Sequence, residues 1–188
     1  LGKGHLVREV DALGGIMGVV ADASGIQFRL LNKSKGPAVQ GPRTQIDRQE
    51  YKKIIQKKLN KIDFLTIIEA EVTDLLVKNY SVSGVVFGNS EVVNCKCVIL
   101  TTGTFLNGQI HIGQKSYPGG RSGDVASIRL ADRLREMDLP MGRLKTGTPP
   151  RLDGKTINWS ILEKQYADLK PHYFSFLTKK TKLKQIPC

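Results

Sequence analysis

The residues best placed to do chemistry in this chain are small ones. Thr101-Thr102-Gly103-Thr104 is a run of hydroxyls and bare backbone that follows Cys97-Val98-Ile99-Leu100, an apolar stretch without alternation. Such a stretch predicts a strand buried on both faces, as in a parallel sheet. Ligands of open α/β sheets bind beyond the carboxyl ends of the strands, where small side chains let them reach the main chain. A strand ending in such a turn is what a dinucleotide-binding domain requires, although many parallel strands end in Thr and Gly. Downstream, Gly119-Gly120-Arg121-Ser122-Gly123-Asp124 precedes a predicted helix with Ser127, Leu130, Ala131 and Leu134 on one face. Free N–H groups and the positive end of a helix dipole would suit an anion there; a flexible connector is the competing reading.

Other chemistries are not supported. The sequence contains no G-x-x-x-x-G-K-[ST], which argues against a P-loop hydrolase. G-x-G-x-x-G is also absent, which weakens an NAD-dependent dehydrogenase. There is no H-E-x-x-H and no G-x-S-x-G, and His5, His111 and His172 are scattered, so no metal site and no catalytic residue is assigned. Three cysteines, an odd number, argue against a disulfide framework and for a reducing compartment. Cys95 and Cys97 lie two apart on the predicted strand and would share a face, a packing arrangement without the C-x-x-C spacing of zinc.

Charge points to a polyanion. Twenty-nine Lys and Arg against 17 Asp and Glu give a net charge of +12, a field that attracts nucleic acid, membrane surfaces or phosphorylated substrates. A basic proteome, or acidic segments outside this sequence, would give the same balance. Lys33, Lys35 and Arg43 are predicted in a Gly/Pro-rich loop bracketed by Ser34–Pro37 and Gly41–Arg43. Lys170, Lys179, Lys180, Lys182 and Lys184 fall in a final segment without an acidic residue, either a solvated face or a phosphate track.

The elements that must position these residues read as follows. Residues 1–46 are Gly-rich and irregular, with Leu1–His5 as loop and a helix from Val7 to Leu13 ended by Gly14-Gly15. Asp47 and Glu50 form a capping-box pattern opening a helix with Tyr51, Ile54, Ile55 and Leu59 on its apolar face. Strands are predicted at Phe64–Ile68, Val72–Val77, Val82–Phe87 and Glu91–Val93, with turns at 78–81 and 88–90, as an antiparallel meander. Gly142–Arg151 ends the α/β pattern, and Trp159, Tyr166, Tyr173 and Phe176 mark a different texture. The expected organisation is one domain over residues 1–148, with the meander at about 72–95, and a second, inserted subdomain starting at 149–188. A first residue that is not Met and the abrupt Gln185-Ile186-Pro187-Cys188 end predict an internal segment of a longer protein. No apolar run approaches the roughly 18 residues of a membrane span, and no signal-peptide pattern occurs.

Five blocks, LGKGHLVREVDALGG (1–15), SKGPAV (34–39), VILTTGTFLN (98–107), GGRSGD (119–124) and GRLKTGTPPR (142–151), occur in order. They resemble the MnmG, or GidA, family of FAD-dependent tRNA uridine 5-carboxymethylaminomethyl modification enzymes, and the likeness covers essentially the whole chain. The resemblance implies an α/β fold: a partial FAD-binding, Rossmann-like domain of a two-dinucleotide-binding-domain flavoprotein, with an inserted antiparallel β-meander. It implies an enzyme that, with an MnmE-type GTPase, adds an aminomethyl or carboxymethylaminomethyl group to C5 of the wobble uridine in certain tRNAs. The carbon would come from methylene-tetrahydrofolate, FAD would handle the redox step, and NADH would act as reductant. A homodimer away from the membrane is implied, cytoplasmic or, for the organellar counterpart, mitochondrial. Position by position, Val72 and Ser127 match FAD-binding residues, Val72 through its backbone at the adenine; Thr102 and Gly103 match more loosely. The family's Gly-rich FAD fingerprint and a Cys-Asn-Pro cysteine would precede Leu1. The NAD-associated segment and a helical C-terminal domain would follow Cys188, which matches a Pro-Cys of the family without an assigned role. On this reading Lys33, Lys35 and Arg43 are the candidate tRNA contacts. The competing reading is a non-catalytic basic nucleic-acid-binding module, which bound flavin would distinguish.

Overall fold

The computed structural model describes residues 3–188 and divides the chain into two compact units, Leu1–Thr66 with Arg151–Cys188, and Ile67–Pro150. Leu1 and Gly2, expected as loop, lie outside the described residues, whereas Lys3–His5 are helical.

In the first unit, α1 (Lys3–Ala12) ends at Gly14, whose φ of +85° reverses the chain at a conformation glycine adopts without strain. Then come α2 (Met17–Ala23), β1 (Gly25–Leu31) and β2 (Gly41–Ile46). β1 and β2 form an antiparallel hairpin in which Arg29 faces Arg43, within a region whose glycines and prolines predicted no strand. The fully buried Phe28 meets the edge of Tyr173 at 5.0 Å, and the Arg8 guanidinium lies 4.5 Å from the Phe176 ring centre. Main-chain bonds run from Ile186 N to Ile26 O (2.8 Å) and from Asp168 N to Phe28 O (2.9 Å). Residues 151–188, expected to open another subdomain, thus complete this unit: Tyr173 packs on its buried Phe28, while Trp159, Tyr166 and Phe176 stay largely exposed. α3 (Arg48–Leu59) is capped by Asp47, whose carboxylate accepts from Gln49 N and Glu50 N at 2.8 and 3.0 Å. The reciprocal half of the capping box is absent, because Glu50 pairs with Lys53 at 2.7 Å instead.

The second unit is built on the meander β3 (Val72–Lys78), β4 (Ser81–Phe87) and β5 (Val92–Asn94), in that spatial order. Asn79 and Tyr80 both take positive φ, as a tight hairpin turn demands. A second hairpin, β6 (Gln109–Ile112) with β7 (Lys115–Pro118), and helix α4 (Arg129–Glu136) follow. Leu75 of β3 packs with Leu130 and Leu134 of α4, and Val85, Val98 and Leu106 close around them. Two predicted strands are not formed. Residues 97–101 form no strand, with Ile99 87% exposed, and Phe64–Ile68 is likewise without strand pairing. An apolar run becomes a strand only where a neighbouring backbone takes its hydrogen bonds, and among the described residues none lies alongside either run. Cys95 and Cys97 therefore share no strand face, and Cys97 is exposed. The observed sheets are all antiparallel within a mixed α/β fold.

Candidate functional site

Three segments of the second unit converge on one cavity of about 560 Å³. Val72 opens β3, an edge strand of its sheet, so one side of its main chain is not taken up by β4. Thr102 reaches the cavity from the turn after the apolar run, where Thr102 O accepts from Phe105 N at 3.2 Å. Ser127 lies on the opposite approach, two residues before α4. Its main chain is held by Phe105 and Asn107, with Ser127 N donating to Phe105 O (2.8 Å) and Asn107 N donating to Ser127 O (2.9 Å). That short parallel bridge keeps the Ser127 side chain at the cavity wall, ahead of the helix rather than within it as its spacing suggested. Gly103, with φ +58°, shapes the turn beside Thr102 and does not itself line the cavity.

Four lining residues were not singled out by the sequence: Glu71, Phe105, Val125 and Ala126. The Phe105 ring lies against Gly120, where any Cβ would collide with it, so this glycine is needed for close approach. The Thr104 hydroxyl ties the same place by donating to Gly120 O at 2.7 Å. The only signals were the paired glycines 119–120 and the position of Glu71 just before a strand. Walls of Val72, Phe105 and Leu130 with the hydroxyls of Thr102 and Ser127 and one carboxylate suit a flat, apolar ligand that donates hydrogen bonds. No lining residue is basic.

The anion site expected at residues 119–124 is not formed. Arg121 and Asp124 close a tight turn on themselves, with Arg121 Nε 2.9 Å from Asp124 Oδ2 and Gly123 at φ +87°. The helix begins beyond that turn, at Arg129, so the N–H groups of the Gly-rich loop do not sit on its dipole. Arg133 of α4 bonds back to β3, 2.8 Å from Asp74 Oδ1, fixing the helix against the strand that carries Val72.

The basic trio belongs to the first unit. Lys33 and Lys35 sit exposed on the compact β1–β2 loop, held by Gln40 Nε2 donating to Lys35 O (2.9 Å) and to Lys33 O (3.3 Å). Arg43 is not in that loop. It is half-buried on β2, and its guanidinium donates to Gln27 Oε1 at 3.4 Å, the same oxygen that the Cys188 thiol reaches at 3.3 Å. No helix among the described residues is long and apolar enough to cross a membrane.

Residues 1–188 match the family described as GIDA, glucose inhibited division protein A. The chain belongs to the GidA family. It is 50% identical over 188 residues to the tRNA uridine 5-carboxymethylaminomethyl modification enzyme MnmG of Geobacter sulfurreducens, covering 100% of this chain and 30% of the relative. With the enzyme of the same name from Geotalea uraniireducens the identity is 52%, over the same shares of each chain. The crystal structure of Aquifex aeolicus GidA superimposes with a TM-score of 0.89 at 45% identity, over 99% of this chain and 32% of that one. The chain thus spans about 30% of the length of the curated relatives it matches, and it has the GidA fold over that span.

Proposed function

We propose that this chain forms the adenine-side wall of an FAD site in a tRNA uridine 5-carboxymethylaminomethyl modification enzyme. The observation that carries this reading is the meeting of Val72, Thr102 and Ser127, from three separate segments, in one cavity. The residues fit that part of the cofactor. The edge-strand backbone at Val72 would hold the rim of a base, Phe105 and Leu130 would supply apolar packing, and Ser127 and Glu71 would accept from ribose or amino donors. The absence of basic side chains from the lining puts the pyrophosphate elsewhere. When bound, FAD supplies the redox chemistry. In the whole enzyme, with an MnmE-type GTPase and methylene-tetrahydrofolate, that chemistry serves addition of an aminomethyl or carboxymethylaminomethyl group at C5 of the wobble uridine. NADH would serve as the reductant, and the enzyme works as a cytoplasmic homodimer. Lys33 and Lys35 contact tRNA from the β1–β2 loop, with Arg43 contributing from its strand. These assignments draw support from the family and from the net charge of +12. The test is to purify the complete gene product, record its flavin absorbance, and express it in a bacterial strain lacking its own MnmG. Stoichiometric flavin and a restored wobble nucleoside by mass spectrometry are expected; a colourless protein that restores nothing would refute the reading.

A further inference from the structure

A second concavity lies in the first unit, between α3 and residues 177–183, with a volume of about 780 Å³. Lys57, Lys58 and Lys61 line it from the end of α3 and the turn after it, and Lys179, Lys180 and Lys182 line it from the later segment. Its floor is apolar, made by Val19, Ala23, Ile54 and Leu183. The single carboxylate in the lining, Glu50, is paired with Lys53, a lysine outside it. Among the described residues none of the six lysines lies within ion-pairing distance of a carboxylate.

A solvated charged face is the ordinary explanation for lysine runs, and it accounts for part of this one. Lys57 and Lys58 occupy the last turn of α3, where cations complement the helix dipole. That reason weakens at Lys61, which lies in the turn beyond the C-cap Asn60. It does not cover Lys179, Lys180 and Lys182, which the fold brings to the same concavity from more than a hundred residues away in sequence. Six cations without a carboxylate partner, gathered in one groove, repel one another and raise the local positive potential, which an anionic partner relieves. Flexible ammonium groups without Arg forks, Asn, Gln or aromatic rings recognise point charges and offer nothing to read or stack a base.

We propose that this lysine groove is a binding surface for the phosphate backbone of RNA, engaging several phosphates without reading sequence. The choice of RNA over other polyanions rests on the proposed function; the groove itself does not. The complete gene product carrying Lys57→Ala, Lys61→Ala, Lys180→Ala and Lys182→Ala would be compared with a control lacking four exposed lysines outside the groove, Lys96, Lys115, Lys145 and Lys155. Binding of two unrelated tRNA transcripts is measured across a salt series, with flavin absorbance and circular dichroism as checks on folding. The groove variant is expected to bind both transcripts at least about tenfold more weakly, and its log–log salt slope to flatten by about two or more, at roughly 0.9 for each phosphate no longer neutralised. A slope no flatter than the control's overturns the proposal. So does failure of the wild type to bind tRNA, or a groove variant that loses only flotation with phosphatidylserine vesicles, which would make this a membrane surface. Flavin loading and wobble modification report on the FAD reading separately: if they fail while the slope behaves as expected, the groove assignment stands.

Discussion

Ser127 and Asp22 show how single side chains divide between site and scaffold. In the complete gene product, Ser127→Trp is expected to lower flavin occupancy sharply, because the indole would fill the cavity beside Val72 and Thr102. Ser90→Trp, in the exposed β4–β5 turn, is expected to keep it; equal flavin-to-protein absorbance ratios in the two variants would remove Ser127 from the site. Asp22 does no ligand chemistry. It is wholly buried and accepts from Phe174 N (2.9 Å) and Ser175 N (2.8 Å), holding residues 173–178 onto α2. An amide in its place offers one acceptor oxygen to two donors, so Asp22→Asn is expected to cost about 1–3 kcal/mol, read as faster hydrogen exchange in a peptide spanning 174–176. Burial, the largest influence, raises its pKa above the ordinary 3.8 against the opposing pull of those N–H donors. A raised folded value means the folded state holds the proton more tightly. The stability this gives is full below 3.8 and is lost as pH rises through the raised value. The deficit of Asp22→Asn should therefore widen as pH falls from neutral toward the ordinary carboxylate value, and a deficit that narrows would reverse the assignment.

Among the elements, those stabilised by neighbours in sequence are the ones that could be read from it. α3 follows from Asp47 and the spacing of Tyr51, Ile54, Ile55 and Leu59, all half-buried on one face. Asp47→Ala is accordingly expected to destabilise that helix by about 1 kcal/mol, measured as lost amide protection at Gln49 and Glu50. The meander follows from alternation and from its turn residues. The β1–β2 hairpin was illegible because its apolar side is covered by Tyr173 and the β1 backbone is hydrogen-bonded by Asp168, both far along the chain. The apolar run at 97–101 misled for the opposite reason: composition supplied a strand, but no described backbone pairs with it. At the site, position-by-position resemblance to the family pointed to Val72 and Ser127, and more loosely to Thr102. Their meeting in one cavity depends on the Leu106–Ser127 bridge and on the Phe105 ring over Gly120, which no local pattern announces.

For the molecule as a whole, the cavity and the charge are separate assets. The cavity has apolar walls, one carboxylate and no cation, and the sequence holds no G-x-G-x-x-G to take a pyrophosphate at a helix N-terminus. Residues 1–188 expressed alone are therefore expected to emerge from gel filtration without flavin. Co-elution near one FAD per chain would show that the adenine-side wall is sufficient by itself.

The way the first unit is closed has a consequence for biosynthesis. Leu30 N bonds to Asp168 across 138 positions, and the Phe174 and Ser175 amides reach Asp22 across 152 and 153. The second unit, Ile67–Pro150, is one continuous stretch. As the chain leaves the ribosome, that later stretch has all its own partners while the earlier residues still wait for theirs. Phe28 and the β1–β2 hairpin stay without Tyr173 until well after residue 150 has emerged, the interval in which apolar surface is open to aggregation and to chaperones. A pause in translation after residue 150 has left the exit tunnel but before Tyr173 has would leave the second unit folded on the nascent chain and the first exposed, so codon choice in that window bears on the yield of the protein.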